Sequence, residues 1–278
     1  MVIHFAKIVR WPNLLIIAVT QYLAAVLLIS DNSFESVLHD SAFMVLIIST
    51  IFIAAGGYLI NDYYDIKIDY VNKPDRVVAG RFISRRQILF AHTLLTALGI
   101  LGGTYVSIKI GMLNVLAAGL LWLYSNQLKR MPLWGNFAIA SLTALSVYLV
   151  YFYYQQSFFL ILSYTAFAFY MSLIREIIKD MEDLKGDKAF GLRTLPISIG
   201  MHKTKNAIYF IIVLFLLTVS YLLFEEPKFF KVLGGLFLSL LILFIGITRA
   251  DKPNDYKRLS RWSKIIMLLG LLSMLLFL

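Results

Sequence analysis

The stretch SAFMVLIISTIFIAAGGYLINDYYDIKID, residues 41–69, opens with twenty residues that carry no formal charge and then sets Asp62, Asp65 and Asp69 close together. A run of about 20 apolar residues matches a hydrocarbon core of roughly 30 Å at about 1.5 Å rise per helical residue. The spacing therefore predicts a membrane-crossing helix whose end carries carboxylates. The rest of the chain agrees. Of its 278 residues, 60% are hydrophobic and 15% charged, where a soluble domain carries about 25% charged residues. Mean hydropathy is +0.78. This is the composition of an all-α, polytopic membrane protein. The chain has no cysteine, which excludes disulfides and leaves the redox compartment unread. No cleavable signal peptide is evident, since the first apolar segment begins after Trp11-Pro12 and is long enough to span.

Nine spans are predicted, near residues 13–30, 41–60, 87–108, 112–126, 133–153, 157–178, 206–224, 229–247 and 262–278. The third and fourth are separated only around Lys109-Ile110-Gly111, so eight is the other count. Charge placement favours nine. Of 26 Lys and Arg residues, 23 fall on the side of the N-terminus, leaving Lys109, Lys228 and Lys231 for the other face. Basic residues beside short loops mark the cytoplasm, so the N-terminus is expected inside and the C-terminus outside. The net charge of +10 is then a consequence of topology. No motif for nucleic acid accompanies it. No linker divides the sequence, and residues 1–278 read as a single membrane domain. Three long cytoplasmic connections are expected at 61–86, 179–205 and 248–261.

Two of those connections correspond. NDYYDIKID follows the second span and KDMEDLKGD the sixth, with Asp183 and Asp187 lying 118 positions after Asp65 and Asp69. Each cluster follows the second helix of a four-helix half, which suggests a duplication with both clusters at one cytoplasmic mouth. On a continued helix, Asn61, Asp65 and Asp69 share one face, as do Asp183 and Asp187, with Asp180 on the adjacent stripe. Stacked carboxylates repel and call for a counter-ion. Hard oxygen ligands suit Mg2+, which takes one or two carboxylates plus phosphate oxygens and water. Lys73, Arg76 and Arg81 follow the first cluster, Lys129 and Arg130 sit in YSNQLKR, and Arg193 lies in GLRTLP. Such cations take the remaining phosphate oxygens directly. Carboxylates, Mg2+ and basic clamps together fit a diphosphate leaving group, whose developing charge they stabilise. Isolated acids at helix ends are commonly solvated interfacial residues. Here nine of the 16 acidic residues fall in two regions with the same four-residue step, which solubility alone does not require.

At these residues the chain resembles the UbiA-type intramembrane prenyltransferases. NDYYDIKID fits their N-D-x-x-D-x-x-x-D signature and DMEDLKGD their D-x-E-D-x-x-G-D signature, with RWPN, NKPDRVVAGRFIS, YSNQLKR and GLRTLPISIG in the same order. The resemblance implies nine transmembrane helices in a bundle around an apolar chamber with a cytoplasmic polar cap. It implies that a polyprenyl diphosphate places its head on Mg2+ held by Asn61, Asp65, Asp69, Asp183 and Asp187. The diphosphate leaves, an allylic carbocation forms and a lipophilic acceptor attacks. The pattern looks most like the branch that adds a second geranylgeranyl group to geranylgeranylglyceryl phosphate; 4-hydroxybenzoate or another quinone precursor is the alternative acceptor. An alkyl hydroxyl needs a strong electrophile or a base nearby, and Asp62, Glu176 and Glu182 are candidates by position.

Other residues are weaker candidates. Asn13 and Tyr124 are possible substrate contacts, with a helix-start role and an interfacial belt as the plainer explanations. Tyr63 and Tyr64 could face a carbocation or belong to the same belt. His92 reads as structural, and Gly56-Gly57 as a site of close helix packing. A cation-coupled transporter is the competing class, but the acids cluster at helix ends and not mid-span.

Overall fold

In the computed structural model, residues 2–29, 32–72, 77–227 and 230–278 are described. Their order is α1 (Val2–Ile8), α2 (Trp11–Leu27), α3 (Phe34–His39), α4 (Ser41–Asn72), α5 (Arg85–Val106), α6 (Ile108–Asn126), α7 (Trp134–Tyr154), α8 (Phe158–Glu182), α9 (Leu184–Ala189), α10 (Leu195–Ile199), α11 (Met201–Glu225), α12 (Phe230–Arg249) and α13 (Pro253–Leu272). Among the described residues the one bridge outside helices joins Ala79 to Ile83. Seven helices are long and apolar enough to cross a membrane, and shorter apolar helices, Trp11–Leu27 and Gly234–Arg249, stand at the two remaining expected positions.

Local signals set the helix starts. Ser84 and Gln87 form a capping box ahead of α5, each accepting the other's backbone N–H. Ser107 both ends α5 and caps α6 by accepting from the Ile110 N–H at 3.1 Å. The break between the third and fourth spans therefore falls at Ser107 and not at Lys109-Ile110-Gly111, because a serine hydroxyl satisfies an orphan N–H that the lysine cannot. The expected connections are also more helical than hydropathy indicates. α4 runs twelve residues past its apolar stretch, α9 and α10 occupy the second connection, and α13 begins at Pro253. Charge lowers hydropathy but does not stop a helix from propagating.

The chain forms two compact units, Met1–Tyr22 with Asn32–Lys129 and Leu23–Asp31 with Arg130–Leu278. In the first, α4 is the centre. α5 returns antiparallel to it: a Cβ on Gly56 would meet Thr96 Oγ1 at 2.6 Å, and one on Gly99 would meet Ser49 O at 3.0 Å. α6 then runs parallel to α4, as Gly57 faces Leu121 and Asn114 Nδ2 donates to Ser49 Oγ at 3.4 Å. The Gly56-Gly57 pair thus seats α5 with one residue and α6 with the next. His92 is structural as read, its Nδ1 3.0 Å from Gly56 O. The α5–α6 hairpin is equally close. A Cβ on Gly111 would lie 2.9 Å from Thr104 Cα, a backbone atom that cannot swing aside. Gly111→Ala is expected to lower stability by about 1–3 kcal/mol through overpacking, measured as thermal unfolding of the purified protein.

In the second unit α8 is the centre. It packs antiparallel to α7 (Thr143 Oγ1 to Ser172 Oγ, 3.3 Å; Asn136 Nδ2 to Asp180 Oδ2, 2.7 Å) and to α13 (Tyr164 OH to Ser273 Oγ, 3.0 Å; Gly270 against Phe167), and it also packs on α11 (Tyr170 OH to Thr218 Oγ1, 2.9 Å). The correspondence at 118 positions extends to the elements. Moved 118 positions along the chain, α4 falls on α8 with α9, α5 on α11 and α6 on α12.

Candidate functional site

In the first unit α4 continues without a break through Asn72, so Asn61, Asp65 and Asp69 stand on one stripe as expected. The parallel register of α4 and α6 decides what meets that stripe. Gly57 faces Leu121, 64 positions on. The same displacement carries Asp65 to Lys129, in the 3-10 turn after α6, and its Nζ donates to Asp65 Oδ1. Both side chains are mostly enclosed, 10% and 16% exposed.

One turn earlier, Asp62 accepts from Arg10 Nη2 at 2.9 Å, and the guanidinium carbon of Arg10 lies 4.8 Å from the centre of the Tyr58 ring. Asn13 Nδ2 donates to the Tyr58 hydroxyl at 3.3 Å. Arg10 joins α1 to α2 with φ of 53°, a left-handed conformation a residue other than glycine adopts only when its surroundings hold it. Tyr63 has the Arg85 guanidinium over its ring at 4.6 Å and Tyr64 edge-on at 5.4 Å, so that face is already covered by a cation. Arg81 is exposed, 5.3 Å over the Phe82 ring. Lys73 and Arg76 lie outside the described residues. Tyr124 is half-buried in α6.

In the second unit the acidic helix does break. Asp183 ends α8 with φ −87° and ψ 5° and opens α9. Asp183 and Asp187 are therefore not on one continuous helix, because the ψ of Asp183 departs from the helical value. The Asp187 N–H nonetheless donates to Asp183 O at 3.1 Å, keeping the two one turn apart. Asp187 is buried. Asp180 Oδ2 accepts from Asn136 Nδ2 of α7 at 2.7 Å. Glu176 is buried and held by Arg175 at 2.6 Å and Lys179 at 3.5 Å. The Arg193 N–H donates to Arg130 O at 3.2 Å, which brings the backbones of these two expected phosphate-binding residues together.

Sequence reasoning passed over Arg10 and Asn136. Both carry a signal: Arg10 immediately precedes a span, and Asn136 is a lone amide in the apolar run WGNFAIAS. Among the described residues no three Asp, Glu, His or Cys side chains converge as a ready cage. The donors are carboxylate and amide oxygens, and a lysine ammonium already stands where one of them would meet a cation. That set fits Mg2+, which shares its shell with phosphate and water and does not require an all-protein cage.

The profile of the UbiA prenyltransferase family matches residues 15–271. A Pyrococcus furiosus protein named digeranylgeranylglyceryl phosphate synthase is 31% identical over 280 residues, 99% of this chain and 95% of its own. Another of that name from Sulfurisphaera tokodaii is 35% identical over 74% of each chain. In fold, the chain is similar to a digeranylgeranylglyceryl phosphate synthase structure (TM-score 0.77, 24% identity, 98% of this chain and 96% of that one). It is also similar to an Archaeoglobus fulgidus UbiA homolog bound to DMAPP and Mg2+ (TM-score 0.73, 18% identity, 97% and 98%).

Proposed function

Because the chain belongs to the UbiA prenyltransferase family, we propose that it transfers a geranylgeranyl group from its diphosphate to geranylgeranylglyceryl phosphate, with Mg2+. Family membership sets the transporter reading aside. The single observation that carries the diphosphate chemistry is the lysine ammonium seated on Asp65 within the acidic stripe. The acceptor rests on relatives of that name aligned along nearly the whole chain.

In this reading Asn61, Asp65 and Asp69 hold metal in the first unit, and Asp183 and Asp187 hold metal in the second. Asp180, expected with them, already gives Oδ2 to Asn136. When bound, Mg2+ neutralises the diphosphate oxygens on which charge grows as the allylic C–O bond breaks. Lys129, Arg130 and Arg193 take oxygens the metal leaves, as do Lys73, Arg76 and Arg81 in the expected set. The tail lies among aliphatic and aromatic side chains of the spans. The acceptor hydroxyl forms the new C–O bond and loses its proton. Asp62 and Glu176, two positional candidates for that base, are held by Arg10 and by Arg175 with Lys179. Glu182 is the third. The chain is an integral, multi-pass membrane protein. We place the N-terminus and the polar segments in the cytoplasm and, with nine spans, the C-terminus outside, because 23 of the 26 basic residues favour that side.

Purified protein given labelled geranylgeranyl diphosphate is expected to release pyrophosphate and label geranylgeranylglyceryl phosphate only when Mg2+ and that acceptor are both present. EDTA stops the reaction. Labelling of 4-hydroxybenzoate in preference would overturn the acceptor and leave the prenyl donor standing.

A further inference from the structure

Asp62 and Asp180 lie 118 positions apart, the displacement that relates Asp65 to Asp183. Each sits three residues before a proposed metal ligand. Each accepts a hydrogen bond from a side chain at the start of the apolar helix that precedes its own. For Asp62 the donor is Arg10, immediately ahead of α2, at 2.9 Å; for Asp180 it is Asn136, in the first turn of α7, at 2.7 Å. The donors are not equivalent in sequence and differ in charge. The contact recurs although the chemistry making it does not.

We propose that Asp62 and Asp180 are a matched pair of positioning residues, one in each half, which fix the rotation of the acidic segments and are not themselves metal ligands. Residues three apart on a helix point about 60° from one another. Tying Asp62 to the segment before α2 therefore sets the direction of Asp65, and the adjoining Asn61 with it. Asp180 does the same for Asp183, which matters more there because Asp183 sits at the break between α8 and α9 and no continuous helix runs through it. Around Asp62 the anchor is reinforced: Arg10 also covers Tyr58, and Tyr58 accepts from Asn13. The left-handed backbone at Arg10 brings its side chain onto α4. The Asp180 anchor is a single amide, uncharged, and between buried surfaces of α7 and α8.

This inference rests on the metal reading above and is tested so that the two can fail separately. The measurement is the Mg2+ concentration giving half of the thermal stabilisation of the intact protein in the presence of geranylgeranyl diphosphate. Asparagine retains an oxygen that accepts from Asn136 or Arg10, whereas alanine does not. Asp180→Ala, Asp62→Ala and Asn136→Ala are expected to raise that concentration roughly 10- to 100-fold, the usual loss when a group orienting a metal ligand is removed. Asp180→Asn is expected to restore most of it, to within about threefold of wild type, as hydrogen-bond acceptance and not charge is what that anchor uses; Asp62→Asn is expected to restore less, because it also gives up the ion pair with Arg10. Asp183→Asn serves as the ligand control and is expected to lose stabilisation by Mg2+. Loss in Asp180→Asn as large as in Asp183→Asn would make Asp180 a ligand and overturn the proposal alone. An unchanged Asp183→Asn would remove the metal reading and this proposal with it. Should Asp180→Ala fail to fold, Asn136→Ala and Asp180→Asn still decide the matter.

Discussion

Asp65→Asn is expected to lower turnover by at least about 100-fold, the scale of loss when one charge-stabilising group is removed from a transition state, while membrane insertion is unchanged. Asparagine keeps the size and one acceptor oxygen but removes the charge. Asp65 is the acid on the α4 stripe that Lys129 contacts, so the substitution removes the charge that pairs with that lysine. Activity is read as pyrophosphate release and insertion as yield in the membrane fraction. The apolar face of α4 that seats α5 and α6 lies a turn or more before Asp65, so insertion is kept although the enclosed Lys129 loses its partner and stability falls. Full activity in Asp65→Asn would refute the metal assignment on α4.

Lys129→Met is expected to act on stability first and on catalysis second. Asp65 and Lys129 are 16% and 10% exposed. Removing one partner of so enclosed a pair costs about 3–5 kcal/mol, chiefly because the remaining charge is poorly solvated. For a chain of this length that lowers the unfolding midpoint by on the order of 10 °C. Mg2+ together with a prenyl diphosphate should recover much of the loss, since the divalent ion supplies Asp65 with the positive charge that the lysine gave. Turnover should stay low even then, because the cation proposed for a diphosphate oxygen is gone. A midpoint shift of the same size with and without Mg2+ and diphosphate would show that Lys129 only braces the fold. The informative contrast is thus between the two conditions in a single variant.

Much of the architecture was legible from hydropathy and charge, since each apolar run of span length has one stable solution in a bilayer. Hydropathy was a poorer guide at helix ends. It read residues 61–72 and 253–261 as connections, although α4 and α13 include them. Backbone hydrogen bonds continue a helix whether or not its surface is greasy. It also placed Asp183 and Asp187 on one helix, where the structure ends α8 at Glu182. The four-residue step survived because a single backbone bond, Asp187 N–H to Asp183 O, spans the break.

The candidate site divides along similar lines. The carboxylates, their spacing and their repetition after 118 residues are properties of the sequence, as is the excess of cations beside them. Which cation meets which acid is not. Lys129 was one of several basic residues named for a phosphate, and only the parallel register of α4 and α6 puts it on Asp65. Arg81 was equally eligible and lies over Phe82. Arg10 and Asn136 were eligible for nothing in particular, yet they hold Asp62 and Asp180. Sequence alone determined that this chain crosses a membrane many times and gathers carboxylates at the ends of two helices, because periodicity and charge act over neighbouring residues. Tertiary structure decided the partners of those ligands, because an ion pair between residues 64 positions apart depends on the direction and register of whole helices, which no local pattern encodes.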